Sequence, residues 1–265
     1  MNHLNSTMEN AAAQYERDGF CLVEPIIPHD LVQRVISHMD AVVAGEYETG
    51  TAPLRMWNPG DDELKIRKID QPHVSDRTIF EFITHPAIGR WAAALTGAQM
   101  VQLWAAQLLY KPPGGAAAGS IGWHQDRQYW TTWWEPESEV FTAWVAVSDV
   151  AIESGPMLFV PGSHRWGFLN QGDFFGSDHD LQREQIKVPP GERWQETPAV
   201  LPAGGVSFHH RFTYHGSGPN VSSQPRRSFA LHLRTEKSRS VAGSQEYYVA
   251  RLNDPEVSPI LYEAV

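Results

Sequence analysis

A chain of 265 residues with 42% hydrophobic and 20% charged side chains has the balance of a globular protein with a sizeable core, which excludes a disordered or fibrous one. The net charge of -10, without any Lys/Arg run, argues against a nucleic-acid partner, because binding a phosphate backbone needs a basic footprint. The single cysteine, Cys21, rules out an intramolecular disulfide framework and a cysteine-rich metal site, and fits a reducing compartment. The opening stretch MNHLNSTMENAAAQYERDGF has no basic start followed by an apolar block, and nowhere do eighteen apolar residues run together. The expectation is a cytoplasmic protein with no membrane partner, monomeric or homodimeric. Single β-barrel or sandwich domains reach this length, so residues 1–265 are expected to form one domain.

In chain order, residues 7–18 predict a short helix, and GFCLVEPII at 19–27 predicts a strand ending before Pro28. From His29 to Ala44, Leu31, Val32, Val35, Ile36, Met39, Val42 and Val43 recur at helical spacing, with Asp30 near the positive helix start. EYETGTAPLRMWNPGDDELK, punctuated by Gly and Pro, predicts a loop, and SDRTIFEFITHPAIGRWAAALTG predicts two short helices divided at Pro86. From Met100 the texture changes to short strands: MVQLWAAQLLYK, VFTAWVAVSDV, PMLFVPG, GVSFHH and RRSFALHLRT. Residues 165–200, rich in Gly, Asp, Gln and Pro, predict an insertion loop that could act as a lid. The expected fold is α+β with a mainly β core: a jelly roll over about 100–236, a helical part over about 1–99 packed on one sheet, and a C-terminal tail at 237–265.

Iron that activates oxygen needs a few strong ligands on one side and open positions on the other, which two histidines and one carboxylate provide. The candidates lie in GWHQDRQYW and FTYHGSGPN. An H-x-D triplet alone is weak, since about 0.6 are expected by chance in this composition. His38-Met39-Asp40 is such a decoy: it falls inside the amphipathic helix, where i and i+2 diverge by about 200° and cannot close on one ion. His124 and Asp126 instead follow the loop KPPGGAAAGSIG at a strand exit, where extended chain puts i and i+2 on one face. The third ligand must come from elsewhere: His215 sits in a Gly- and Ser-flanked strand end, with His209 and His210 as rivals. Arg226 and Arg227 open the strand SFALHLRT, and the period of two turns one of them inward. A buried, fork-shaped cation there would grip a dicarboxylate cosubstrate bidentately.

These motifs resemble the phytanoyl-CoA dioxygenase family over about residues 15–235: QLLYKPPGG precedes GWHQD, AWVAVSDVAIESGPMLFVPGSH follows, and GGVSFHHRFTYHGSGPN and PRRSFALHL complete the order. The resemblance implies a double-stranded β-helix (cupin-like) barrel, iron(II) or Fe(II) held by His124, Asp126 and His215, and 2-oxoglutarate and O2 as cosubstrates. It carries the 2-oxoglutarate contacts onto Arg226, eleven residues after the distal histidine, and onto Ser217, Trp144 and Gln107. Lys68 of KIRKID is a further contact by the same resemblance, with Arg67 an equal candidate. His164 of PGSH is implied to be structural. Asp126 fills the position that relatives working as halogenases leave small, so halogenation is disfavoured.

The implied reaction is hydroxylation of a small, partly apolar molecule with conversion of 2-oxoglutarate to succinate, in secondary-metabolite tailoring or small-molecule catabolism. The same oxidant could be steered to epoxidation, desaturation or ring closure, and a catalytically silent binding protein is the alternative from another class. Substrate contacts are expected beside the ligands, at Trp123, Tyr129, Trp130, Trp133, Arg211 and Tyr214. The lack of a basic cluster weighs against a coenzyme A thioester.

Overall fold

The computed structural model describes residues 2–115, 119–244 and 246–264; Ala116–Ala118 of the KPPGGAAAGSIG loop lie outside the described residues. The chain begins with α1 (Asn2–Asp18), β1 (Phe20–Val23), α2 (His29–Ala44), β2 (Leu54–Arg55), β3 (Arg67–Asp70), α3 (Arg77–Ile83) and α4 (Pro86–Thr96). The core elements follow: β4 (Met100–Lys111), β5 (Ile121–His124), α5 (Arg127–Trp130), β6 (Val140–Ala146), β7 (Leu158–Phe159), α6 (His179–Gln185), β8 (Thr197–Pro198), β9 (Val206–His210), β10 (His215–Ser217) and β11 (Arg226–Thr235). α7 (Tyr247–Ala250) and β12 (Ile260–Glu263) close the described chain.

Two antiparallel sheets form the jelly roll. The larger runs β1-β9-β6-β11-β4-β3-β2, with β12 also pairing β4, and the smaller runs β5-β10-β7-β8. Strand alternation divides the larger sheet into two faces. Leu103, Leu108, Phe141, Ala143, Val145, Phe208, Phe229 and Leu231 join the buried residues of α2, α3 and α4 in one apolar core. Leu109, Trp144, Ala146 and Ala230 face the interior between the sheets, where they meet Phe159 of β7. Helices thus cover one face, as the sequence predicts, and the other face is left for a site.

Several boundaries differ from expectation. β1 stops at Val23, and Pro25, which has no N–H to give, follows. KIRKID contributes a strand, β3, that its charged composition hides. The segment 165–200 contains α6 and β8 rather than loop alone, and residues 237–265 are no free tail, since β12 adds to β4. The buried His73 holds this C-terminal segment through a 2.9 Å bond between Nε2 and Val257 O.

Burial pushes the His73 imidazole down to about 4. Between that value and the ~6.5 of an exposed histidine, the unfolded chain binds a proton that the folded chain does not. The contribution to stability is therefore intact above pH 6.5 and is lost as pH falls toward 4, by about 3 kcal/mol at most. His73→Gln, which keeps a donor for Val257 O without titrating, is expected to flatten the fall of the melting temperature over that window. Thermal unfolding followed by circular dichroism checks this; equal slopes for both proteins would remove His73 from the acid response.

Candidate metal and cosubstrate site

His124 ends β5 and lies directly opposite His215, the first residue of β10. Asp126 follows at φ -53°, ψ -39°, in helical rather than extended backbone, so the extended-chain argument for the triplet fails in detail. The turn into α5 instead swings the carboxylate back beneath the two rings. His124 Nε2 and His215 Nε2 lie 3.6 and 3.5 Å from Asp126 Oδ1. One ligand atom from each of the three lies within 4.8 Å of the others, and all three residues are buried.

The surrounding hydrogen bonds fix the tautomers. His124 Nδ1 meets Gly122 O at 2.8 Å and His215 Nδ1 meets Thr213 O at 3.0 Å. A carbonyl only accepts, so each Nδ1 carries the proton and each Nε2 presents a lone pair. Burial, then the neighbouring His124, hold the His215 imidazole well below its usual value, so the ring is neutral at pH 7. Burial alone would raise Asp126, but the surrounding rings, His215 first and then His124 and His209, hold its carboxyl well below the usual range. Two lone pairs and a carboxylate converging in a buried pocket call for a cation between them, and this donor set suits iron(II).

Of the rival histidines, His209 is also close, but its Nε2 lies 3.2 Å from Oδ2, the other oxygen of Asp126. It serves that oxygen as a donor and stands outside the trio. His210, next along β9, faces the opposite side and packs against His164 and Phe212. His164 bonds Glu16 O, which fits a structural role. In the decoy, His38 pairs with Asp76 and Asp40 with Arg227.

Thr142 Oγ1 donates to Asp126 Oδ2 at 2.6 Å and lies 3.0 Å from His232 Nδ1. Having given its proton to the carboxylate, the hydroxyl accepts from His232, whose pKa burial pushes down to about 4. This relay aims Asp126. Thr142→Val keeps the shape and removes the bond, so iron(II) affinity is expected to fall by about 10–100-fold. Competition against a chelator measures it, and unchanged affinity would show that Thr142 does not orient the ligand.

A narrow slot runs inward from the trio, lined among others by Gln107, Trp144, Ser217 and Arg226. At its end Arg226 is buried, as the period of two requires of one member of the pair, while Arg227 turns out to Asp40. Arg226 Nη1 donates to Gly155 O, but Nε and Nη2 have no partner within the protein. Its guanidinium sits 5.2 Å from the Trp144 ring centroid, and burial pushes its pKa down to about 9. Asp126 is the one carboxylate among the described residues lining the slot. A buried fork without an acid partner fits an anionic ligand.

Lys111, the lysine of KPPGG, was not singled out from the sequence. It lies opposite Arg226 in register and is fully buried, and its Nζ donates to Ser217 Oγ at 2.7 Å and to Gly218 O. Burial, then Arg226, hold its pKa well below the usual value. Ser217 thereby keeps its own proton to donate into the slot. Nothing in a lone lysine code signals burial; only its place opposite an inward arginine could have.

Other expected contacts separate. Lys68 does not line the slot: its Nζ pairs with Asp70 at 2.7 Å, and the residue lines a second cavity of about 370 Å³. Arg67 faces away, over the Trp57 and Tyr110 rings. Tyr129, Trp130 and Trp133 line that second cavity. Trp123 and Tyr214 do not, because each immediately precedes an inward ligand and alternation sends it to the outer face, where both pack with Trp194. Arg211 lies over Phe212 and bonds Pro136 O, apart from the site.

From the 165–200 segment, Phe174 stands 5.1 Å from the His124 ring and lines both cavities. The segment is docked by Gly122 N to Phe174 O and Trp123 N to Gln182 Oε1. No helix among the described residues is long and apolar enough to cross a membrane.

Comparison with known proteins identifies the family and the fold. The family model for phytanoyl-CoA dioxygenase (PhyH) matches residues 15–228. Peroxisomal phytanoyl-CoA dioxygenase of Homo sapiens is 23% identical over 83% of the chain, which spans 66% of that relative's length. Ectoine dioxygenase of Bordetella parapertussis is 26% identical, over 80% of this chain and 70% of that one. Among solved structures, the epimerase SnoN in complex with Fe3+, alpha-ketoglutarate and nogalamycin RO superposes with a TM-score of 0.71. It covers 91% of this chain and 92% of its own at 23% identity. EctD from S. alaskensis, at 20% identity, superposes with a TM-score of 0.69 over 90% and 82%. The chain belongs to the phytanoyl-CoA dioxygenase family, whose oxygenases use iron(II), 2-oxoglutarate and O2.

Proposed function

We propose that this chain is an iron(II)- and 2-oxoglutarate-dependent dioxygenase that hydroxylates an unactivated C–H bond of a small, partly apolar molecule. The observation that carries the reading is the pairing of two features in one slot: a buried trio of metal-ligand type, and an unpaired buried guanidinium at the far end.

His124, Asp126 and His215 would hold the metal from one side, with His209 and Thr142 fixing the Asp126 oxygen turned away from the two ring nitrogens. Arg226 and Ser217 would receive the distal carboxylate of 2-oxoglutarate, with Lys111 holding the Ser217 hydroxyl in place. Trp144 and Leu109 wall the slot against water, and Gln107 stands where the slot meets the second cavity. When bound, iron(II) with 2-oxoglutarate and O2 supplies an oxidant able to attack a C–H bond, with succinate and carbon dioxide as coproducts. The protein contributes position and exclusion of water.

Succinate release from 2-oxoglutarate under air, stimulated by an added substrate, tests the proposal. Iron-loaded protein that binds 2-oxoglutarate but releases no succinate with any candidate would favour the silent binding protein.

A further inference from the structure

The second cavity meets the slot at Gln107, His124, Asp126, Phe174 and His232, so a molecule held there presents its near end to the metal trio. Its walls are aromatic. Trp104 packs edge-on against Trp130 at 5.2 Å, Trp133 at 5.6 Å and Tyr248 at 6.0 Å, and Tyr129 and Phe174 complete the enclosure. Trp104 reaches this face through a break in register: His232 opposes Ala105 and Leu233 opposes Leu103, leaving Trp104 as the extra residue of a bulge in β4.

Away from the end shared with the slot, the charged side chains of the cavity are confined to one cluster. Asp70 receives Lys68 Nζ at 2.7 and 2.9 Å on its two oxygens, and Tyr248 hydroxyl at 2.8 Å. Both carboxylate oxygens are thereby engaged and the ammonium is neutralised. Away from the metal trio, no unmatched carboxylate remains to attract a cation by adding to the aromatic faces, and no unmatched cation remains for a phosphate or carboxylate. An ammonium has three protons, so Lys68 keeps a donor beyond those on Asp70.

We propose that this cavity is the substrate site and takes an uncharged, ring-bearing molecule whose flat face lies among Trp104, Trp130, Trp133 and Tyr248 and whose oxygen accepts from Lys68. This assignment deepens the oxygenase reading and rests on it for the C–H bond held near the trio. About 370 Å³ leaves room for roughly two or three fused rings. Lys68, expected from the family resemblance to touch 2-oxoglutarate, becomes a specificity-determining residue for the substrate.

A size-matched charge series tests the proposal: 2-naphthol, naphthalene-2-sulfonate and trimethyl(2-naphthyl)ammonium, with 1-decanol as the neutral chain without rings. Each is titrated calorimetrically, without oxygen, into protein carrying iron(II) and 2-oxoglutarate. The expected order places 2-naphthol at least about tenfold tighter than the other three. Trp133→Ala weakens 2-naphthol by about tenfold, and Lys68→Met with Asp70→Asn, which removes the donor without stranding a charge, weakens it by about fivefold. A charged probe or 1-decanol binding as tightly as 2-naphthol overturns the assignment, as does binding by no probe while the iron and 2-oxoglutarate charge-transfer band forms. Trp133-dependent binding of 2-naphthol to protein that forms no such band leaves the cavity assignment standing and removes the oxygenase reading. The charge series needs only wild-type protein, so a variant that fails to fold does not shelter the proposal.

Discussion

His215→Ala is expected to lose bound iron(II) and to lower any 2-oxoglutarate turnover by at least about a thousandfold, about 4 kcal/mol in the barrier. The imidazole is neutral and its Nδ1 proton is committed to Thr213 O, so Nε2 has no task in the apoprotein except to face Asp126 Oδ1 across 3.5 Å. Removing it leaves one imidazole and one carboxylate, too few to hold the metal against water. His210→Ala is the control, because that ring packs on the outer face against His164 and Phe212. Metal content after dialysis separates them: His210→Ala retains iron and His215→Ala does not. Equal retention would mean that the trio is not the metal site.

Arg226→Met is expected to weaken 2-oxoglutarate by about a hundredfold while leaving iron(II) affinity within a few fold. Two unpartnered donors of a buried guanidinium offer charge-assisted bonds to a carboxylate, together about 3 kcal/mol. Arg226→Lys restores only part of this, since a lysine lacks the planar fork. Calorimetric titration of 2-oxoglutarate into iron-loaded protein without oxygen gives both affinities. An unchanged 2-oxoglutarate affinity would place the cosubstrate elsewhere and leave the buried guanidinium without a role.

Much of the fold was legible because its signals were long and uninterrupted. The stripe from Leu31 to Val43 predicts α2, and the runs MVQLWAAQLLYK and RRSFALHLRT predict β4 and β11, with bounds that the structure repeats. Short or charged elements stayed hidden: RKID is four residues with three charges, and HDLQREQ of α6 has no buried residue to print an apolar stripe. The bulge that turns Trp104 inward leaves no mark on composition. Neither does the return of Tyr248 from a segment read as tail onto Asp70.

In the site, the ordered motifs of the family resemblance pointed to the trio and to Arg226, whereas strand parity alone left Arg226 and Arg227 open. Adjacency in sequence carried over to adjacency in space for Tyr129, Trp130 and Trp133, which line the cavity beside the trio and lie in or just after the α5 turn, where backbone parity no longer applies. It failed for Trp123 and Tyr214, whose strand neighbours point inward and which therefore point out. Lys68 illustrates a different gap. Its pairing with Asp70 joins residues two apart on β3, a contact the period of two allows, yet which cavity that face lines depends on how β3 docks against β4.

The most direct test of the account is to add iron(II) and then 2-oxoglutarate to metal-free wild-type protein without oxygen and to record its visible spectrum. A charge-transfer band that saturates at one equivalent of each is the predicted result, because the trio would hold the ion at the mouth of the slot that leads to Arg226. Folded protein that binds iron(II) yet shows no band at any 2-oxoglutarate concentration would contradict the account.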